Sequence, residues 1–301
     1  MKATASSVLG RPVFDKAWPG ILSELVKARL TSLVLLSTSA GFYMGATGPL
    51  DFVLLINCLA GTGLLAGGAA ALNQYWDQDA DARMQRTSHR PLPSNHLQPE
   101  LALLIGVLGT GLGLLGLGWG VNAAACWLGA ITWAVYLLIY TPLKRVTPLN
   151  TVVGAIPGAL PPLIGWTAAR GFLSSEGWTL FAVQFLWQVP HFLAIAWLYR
   201  KDYARAGFVM LPAVDPTGRR TSCCAEWFAL SLVPVGLVPF WLGQAGWVYA
   251  IGSLGCGLWL WGRAWKFARE RTEFYARRLF YGSLLYLPAV WLLMIWDKVG
   301  W

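Results

Sequence analysis

Residues 51–93 read DFVLLINCLAGTGLLAGGAAALNQYWDQDADARMQRTSHRPLP. From Phe52 to Leu72 the stretch holds no charged side chain, and three aspartates and three arginines then follow before Pro93. The first part is as long as a helix needs to cross a hydrocarbon core, about 20 residues. In lipid every backbone N–H and C=O must be paired within the protein, so only helices and closed barrels span it. The abrupt change after Leu72 marks where this helix reaches the membrane boundary, and it sets a dense group of ionisable residues there.

Runs of the same kind recur outward from this stretch. Nine spans are expected, at about 23–46, 51–73, 100–120, 122–141, 149–169, 177–199, 226–243, 245–262 and 279–297. With 56% of its 301 residues apolar and 12% charged, the chain lacks the polar surface of a soluble domain. The expected architecture is an all-α integral membrane protein with about nine transmembrane helices, forming a single domain over residues 1–301. Nine spans put the N-terminus and the loops after spans 2, 4, 6 and 8 on one side. Of the 23 Lys and Arg residues, 21 fall on that side, and Arg170 and Lys298 on the other. The positive-inside rule makes the richer side cytoplasmic. That bias and anionic headgroups account for the net charge of +9, so nucleic acid is not an expected partner.

The first 20 residues contain Pro12 and Pro19 and lack a compact apolar core, so no cleavable signal peptide is expected. Cys58, Cys126, Cys223, Cys224 and Cys256 show neither a zinc spacing nor a disulfide framework. Carboxylates at the ends of spans 2 and 6, four spans apart, hint at two four-helix halves plus a last helix. Gly61-Thr-Gly63 and the run Gly111–Gly118 would let helices approach closely. The run Gly154-Ala-Ile-Pro157-Gly158-Ala-Leu-Pro161-Pro162 should break or bend span 5. The tryptophans near span ends read as interface anchors.

Chemistry concentrates after Leu72. Asn73, Asp77 and Asp81 stand at i, i+4 and i+8, so on a helix they share one face within about 80°. Asp79 points nearly opposite. Stacked oxygen ligands at a span end suit a hard cation such as Mg²⁺, which takes one or two carboxylates and completes its shell with water and substrate phosphates. Arg83, Arg86 and Arg90 follow with fork donors for phosphate oxygens. The structural alternative is a solvated interfacial loop of weakly paired charges. Three acids in five residues, with an aligned Asn, favour function.

Two further segments converge on this side. Tyr140-Thr-Pro-Leu-Lys144-Arg145 ends span 4, where Lys144 and Arg145 could cap a diphosphate or serve only as positive-inside flanks. In span 6 stand Gln188 and His191, followed by Arg200, Lys201 and Asp202. On a continuous helix His191 and Asp202 lie about 20° apart in azimuth and about 16 Å apart in depth. Pro190 beside His191 could kink that helix. A lone His in an apolar helix is often an interhelical hydrogen-bond partner, but buried polar groups in lipid also mark function. His89 and His96, in the loop, read as solvated.

Asn73-x₃-Asp77-x₃-Asp81 and Tyr140-x₃-Lys144 resemble the motifs of the UbiA-type intramembrane prenyltransferase superfamily. The stretches Arg86-Thr-x-x-Arg90-Pro-Leu-Pro, Tyr140-Thr-Pro-Leu-Lys-Arg, Ile156–Trp166, Trp187-Gln-Val-Pro-His-Phe and Arg278-Leu-Phe-Tyr-Gly-Ser283 are similar to its protoheme IX farnesyltransferase (heme O synthase) branch. The match runs from about Glu24 to Asp297. Where the wider superfamily carries a second acidic motif, this chain has Asp202 with Ala206 four residues on.

The resemblance implies helices around a central lipid-open cavity in the bacterial inner membrane. It implies farnesyl transfer from farnesyl diphosphate to a vinyl group of heme b, giving heme O. Asn73, Asp77 and Asp81 would hold Mg²⁺; Arg83, Arg86, Arg90, Tyr140, Lys144, Arg145, Arg200, Lys201 and Asp202 would serve the diphosphate end. His191 would ligate or orient heme, Gln188 would place the final water, and Ser283 would bind substrate. Heme A synthase and cytochrome oxidase are the partners implied. A quinone-precursor or chlorophyllide acceptor would use the same aspartates. A transporter would place its polar groups at the midplane, whereas these sit at the mouth. A heme-binding assembly factor would leave Asp77 and Asp81 unused.

Overall fold

The computed structural model describes residues 17–299. Lys2, Arg11 and Lys16, counted among the basic residues above, and most of the segment read for a signal peptide lie outside the described residues. In chain order the elements are α1 (Trp18–Leu25), α2 (Ala28–Gly45), α3 (Phe52–Ala82), α4 (Pro99–Gly120), α5 (Ala123–Ala134), a π-helical stretch Val135–Tyr140, and α6 (Thr141–Leu143). They continue with α7 (Asn150–Arg170), α8 (Ser175–Leu198), α9 (Arg200–Arg205), a 3₁₀ turn Leu211–Ala213, α10 (Arg219–Val235), α11 (Val238–Trp241), α12 (Trp247–Glu270) and α13 (Glu273–Trp296).

The apolar runs fold as helix, with breaks at Val26–Lys27 and at Gly236–Leu237, and among the described residues seven helical segments are long and apolar enough to cross a membrane: α3, α4, α5 through α6, α7, α8, α10 through α11, and α13. The expected count of nine is thus reached only by adding α2 and α12. Thr31, Ser32, Ser37, Thr38 and Ser39 dilute α2, and Arg263, Lys266, Arg269 and Glu270 fill the last turns of α12.

The most enclosed helix is α7, which lies against α2, α5 and α8. Its Leu163 and Ile164 join a core with Leu65 of α3, Leu117 of α4 and Leu128 of α5. Its Trp166 joins a second core with Leu193 of α8, Ala229 of α10, Leu260 of α12 and Tyr286 of α13. Both α7 and α2 serve the two cores, α2 through Met44 in one and Phe42 in the other.

No hydrophobic force draws helices together in lipid, so close backbone packing must do it. A Cβ on Gly41 would stand 1.9 Å from the carbonyl oxygen of Pro162, and one on Gly165 would stand 1.9 Å from that of Thr38. Only glycine permits this crossing of α2 on α7. Gly61 and Gly113 play the same part between α3 and α4, whereas Gly111 faces open space.

The proline run does not interrupt α7. Pro162 lacks the N–H that would pair with the carbonyl of Gly158, and Gln184 Nε2 of α8 donates to that carbonyl at 2.8 Å. A neighbouring helix thus repairs the gap, as membrane helices permit.

Candidate active site

α3 continues nine residues past the boundary read from the sequence, to Ala82, so Asn73, Asp77 and Asp81 all sit on helix. Their side chains are buried, at 4%, 4% and 2% exposure, while Asp79 is exposed. The helix ends where Arg83 Nε folds back onto the Asp79 carbonyl at 3.2 Å, which spends Arg83 on its own terminus.

Each member of the buried face meets a cation from another segment. Lys27 Nζ donates to Asn73 Oδ1 at 2.8 Å, Arg90 Nη1 to Asp81 Oδ2 at 2.6 Å, and Lys144 Nζ to Asp77 Oδ2. A lysine only donates and a carboxylate only accepts, which fixes the Asn73 amide. Its Nδ2 faces Asp77 Oδ2 at 2.9 Å and Thr141 Oγ1 at 3.2 Å. The Asn73 oxygen, expected as a third metal ligand, accepts from Lys27 in this structure, and its amide N–H meets Asp77. Asp77 Oδ1 is buried and has no partner among the described residues. A buried carboxylate oxygen left so is costly unless a cation or donor meets it. Among the described residues no group of three or more His, Cys, Asp or Glu is placed to hold a metal. Two carboxylates one turn apart, one with an unmet oxygen, fit the sparse protein shell of Mg²⁺.

The π-helical stretch supplies the facing wall. Tyr136 and Tyr140 stack at 5.8 Å, and Tyr136 OH accepts from Lys27 Nζ at 3.3 Å. Thr141 Oγ1 donates to the Tyr136 carbonyl at 2.9 Å. A Cβ on Gly154 of α7 would stand 2.6 Å from the Tyr140 ring, so glycine there makes room for it. Lys144 Nζ lies 5.2 Å over the Tyr140 ring and 5.3 Å over Phe208. Burial lowers its pKa from the ordinary ammonium value, while the charge of Asp77 works to hold the proton on.

Loops close the mouth. Arg86 lies over the rings of Tyr199 and Tyr203, and its Nη2 donates to Tyr203 OH at 3.0 Å. Ala206 packs with Ala80 and Met84, joining the segment after α8 to the end of α3. Asp202 is nearly buried and pairs with Arg205. Arg200 turns away, donating to the Trp197 carbonyl at 2.7 Å and to Glu273 at 3.2 Å. Arg145 and Lys201 are exposed. His96, read as solvated, is half-buried with Nδ1 2.6 Å from Ser94 Oγ.

Deeper along α8, His191 Nδ1 stands 2.8 Å from Ser283 Oγ of α13, whose hydroxyl donates to the Phe280 carbonyl at 2.6 Å. With that hydroxyl proton engaged, His191 Nδ1–H is the donor and Nε2 keeps its lone pair. Trp187 stacks on the imidazole at 5.1 Å, Phe280 tilts against it at 5.1 Å, and Trp187 Nε1 donates to the Ser283 carbonyl at 2.7 Å. Gln188 instead faces α7: its Nε2 donates to the Ala155 carbonyl of α7 at 3.4 Å and to the Gln184 carbonyl of its own helix at 3.2 Å, and its Oε1 occupies the space a Cβ on Gly158 would need. Pro190 leaves α8 unbroken, but α8 stops at Leu198 and α9 starts anew at Arg200. The single-helix projection of His191 and Asp202 therefore does not hold.

Lys27, Tyr136, Thr141 and Phe208 are site neighbours that sequence reasoning missed. In the sequence Lys27 reads only as one of the 21 basic residues on the cytoplasmic side, although a lysine inside an apolar run is itself unusual.

The chain matches the model of the UbiA prenyltransferase family over residues 34–294. It is 46% identical over 286 residues to the protoheme IX farnesyltransferase of Solibacter usitatus, covering 92% of this chain and 98% of that one. Among solved structures it resembles a digeranylgeranylglyceryl phosphate synthase, with a TM-score of 0.79 at 16% identity over 92% and 97% of the two chains. It also resembles a UbiA homologue from Archaeoglobus fulgidus bound to DMAPP and Mg²⁺, with a TM-score of 0.64 at 14% identity over 91% and 98%.

Proposed function

The chain belongs to the UbiA prenyltransferase family, and from that premise we propose how its residues carry a farnesyl group from farnesyl diphosphate to a vinyl group of protoheme IX. It is a multi-pass membrane prenyltransferase. The products are heme O and diphosphate. The observation that carries the site assignment is the buried Asn73–Asp77–Asp81 face, with a cation on each member and Asp77 Oδ1 unmet.

Asp77 and Asp81 hold Mg²⁺, with Asn73 fixing the Asp77 carboxylate. The bound ion supplies Lewis-acid neutralisation of the diphosphate's growing charge. Lys144 and Arg90 already stand at these carboxylates and turn toward phosphate oxygens when the donor arrives; Lys27 and Arg86 complete the cationic rim. Arg83, Arg145, Arg200 and Lys201 act farther out, drawing the anion from the cytoplasm. Asp202 keeps its place in the mouth through Arg205.

The C1–O bond breaks, its electron pair leaves with diphosphate, and the vinyl π electrons attack the allylic carbon. Water then adds to the porphyrin-side cation and releases a proton. Tyr136, Tyr140 and the apolar helices around a central cavity keep water from the allylic cation until that point. His191, with its Nε2 lone pair, ligates or orients the acceptor between Trp187 and Phe280, and Ser283 sets its tautomer. Gln188 holds α8 to α7 beside that pocket.

The enzyme forms one domain in the bacterial inner membrane with its N-terminus in the cytoplasm, and it would deliver heme O toward heme A synthase or cytochrome oxidase assembly. The test is an acceptor panel: purified protein, Mg²⁺ and labelled farnesyl diphosphate with heme b, a quinone precursor or chlorophyllide. Label should pass to heme b. Transfer to another acceptor with none to heme would overturn the assignment.

A further inference from the structure

A second cationic feature lies outside this site. Between α12 and α13 runs a groove of about 290 Å³ lined by Leu258, Trp259, Gly262, Arg263, Lys266, Tyr275 and Arg278. It opens on the same face as the aspartates, because Arg200, just after α8, reaches Glu273 at the start of α13. Three cations line it and no carboxylate does. Glu273, the acid at the start of α13, is engaged by Arg200.

The groove is built rather than a chance meeting of surface side chains. The Arg263 guanidinium lies 4.1 Å over the Trp259 ring, and its Nη1 donates to the Arg278 carbonyl at 3.1 Å. A Cβ on Gly282 would come within 2.6 Å of Arg263 Cδ, so glycine there gives the side chain its seat. Arg263 Nε is nevertheless buried with no partner among the described residues. Like charges held together beside an unmet donor favour an oxyanion. Deeper on the same two helices the surface is apolar and exposed, at Leu254, Leu258, Tyr281 and Leu285.

We propose that this groove binds the phosphodiester headgroup of an anionic membrane lipid, whose acyl chains lie along α12 and α13. Free phosphate or diphosphate shares the headgroup chemistry but has nothing to place on the apolar half; a lipid fills both halves. The site is separate from the acceptor pocket, since α13 turns Ser283 toward His191 of α8 and Gly282 toward Arg263 of α12. Basic pockets between helices at a cytoplasmic face are suited to such headgroups.

The test uses the full chain in neutral detergent, with phosphatidylglycerol, phosphatidylcholine, inorganic phosphate or diphosphate added. Bound lipid is read by native mass spectrometry and the melting temperature is followed in parallel. Phosphatidylglycerol should bind and raise the melting temperature, and the other three should not. The Lys266→Gln/Arg278→Gln double variant, which changes two exposed residues, should bind phosphatidylglycerol about thirtyfold more weakly. If that variant melts lower than wild type without lipid, Lys266→Gln alone should still show about a fivefold loss. Unchanged phosphatidylglycerol binding in the variants would overturn the proposal. So would equal occupancy by phosphatidylcholine or by the free anions.

Discussion

Asp77 has two carboxylate oxygens with different surroundings: Oδ2 meets Lys144 and Asn73, and Oδ1 meets nothing among the described residues. That asymmetry depends on Lys27, which holds the Asn73 oxygen and so forces its amide N–H toward Asp77. Lys27→Met should free the amide to rotate and cost about tenfold to a hundredfold in turnover, the worth of a charged hydrogen bond. The loss should appear as a raised Mg²⁺ requirement in a metal titration. Wild-type Mg²⁺ dependence would reduce Lys27 to an anchor for α2. For His191, replacement by Ala should shift the heme absorption spectrum and weaken heme binding while farnesyl diphosphate affinity changes little. A lower melting temperature with unchanged heme binding would leave His191 only its hydrogen bond to Ser283. The i, i+4, i+8 spacing made the burial of Asn73, Asp77 and Asp81 on one face legible in advance. Lys27 was not legible, because its partners lie 46 and 109 residues away and no local pattern links them.

At the scale of elements, apolar runs told where helices lie but not where they end. α3 outlasts its apolar run because its final turns are buried against the segment after α8, where Ala206 and Phe208 meet Ala80 and Met84. The proline run of α7 misled for a related reason: the donor that repairs it, Gln184, comes from another helix. Gln184→Leu should leave the Gly158 carbonyl unmet and cost about 1–3 kcal/mol, read as a lower melting temperature. Two glycines offer a sharper comparison. Gly41→Ala drives a methyl into the Pro162 carbonyl and should cost about 1–3 kcal/mol by overpacking. Gly111→Ala meets open space and should be neutral or slightly stabilising. Equal melting temperatures for the two would contradict the α2–α7 crossing described here.

Across the whole molecule, six exposed tryptophans mark one rim. Trp119, Trp127, Trp178, Trp241, Trp247 and Trp296 are all exposed and sit at the helix ends that also carry Arg170 and Lys298. Aromatic side chains of this kind prefer the membrane–water interface. The opposite ends carry the aspartates and most of the basic residues. Accessibility tags near residues 90 and 215 should therefore report the cytoplasm, and one near residue 172 the far side. A tag on the wrong face would change the span count, and with it the side from which farnesyl diphosphate enters.

The most direct measurement is heme O formation from labelled farnesyl diphosphate and heme b by the purified wild type, Asp77→Asn, Asp81→Asn and Asp79→Asn, with and without Mg²⁺. The wild type should give a product carrying one farnesyl group and one water, and only with Mg²⁺. Asp77→Asn and Asp81→Asn should lose at least about a hundredfold in rate, as expected when charge stabilisation at a reacting group is removed. Asp79→Asn, on the exposed side of α3, should stay near wild type. Near-normal turnover by Asp77→Asn and Asp81→Asn, or full activity without metal, would contradict the account.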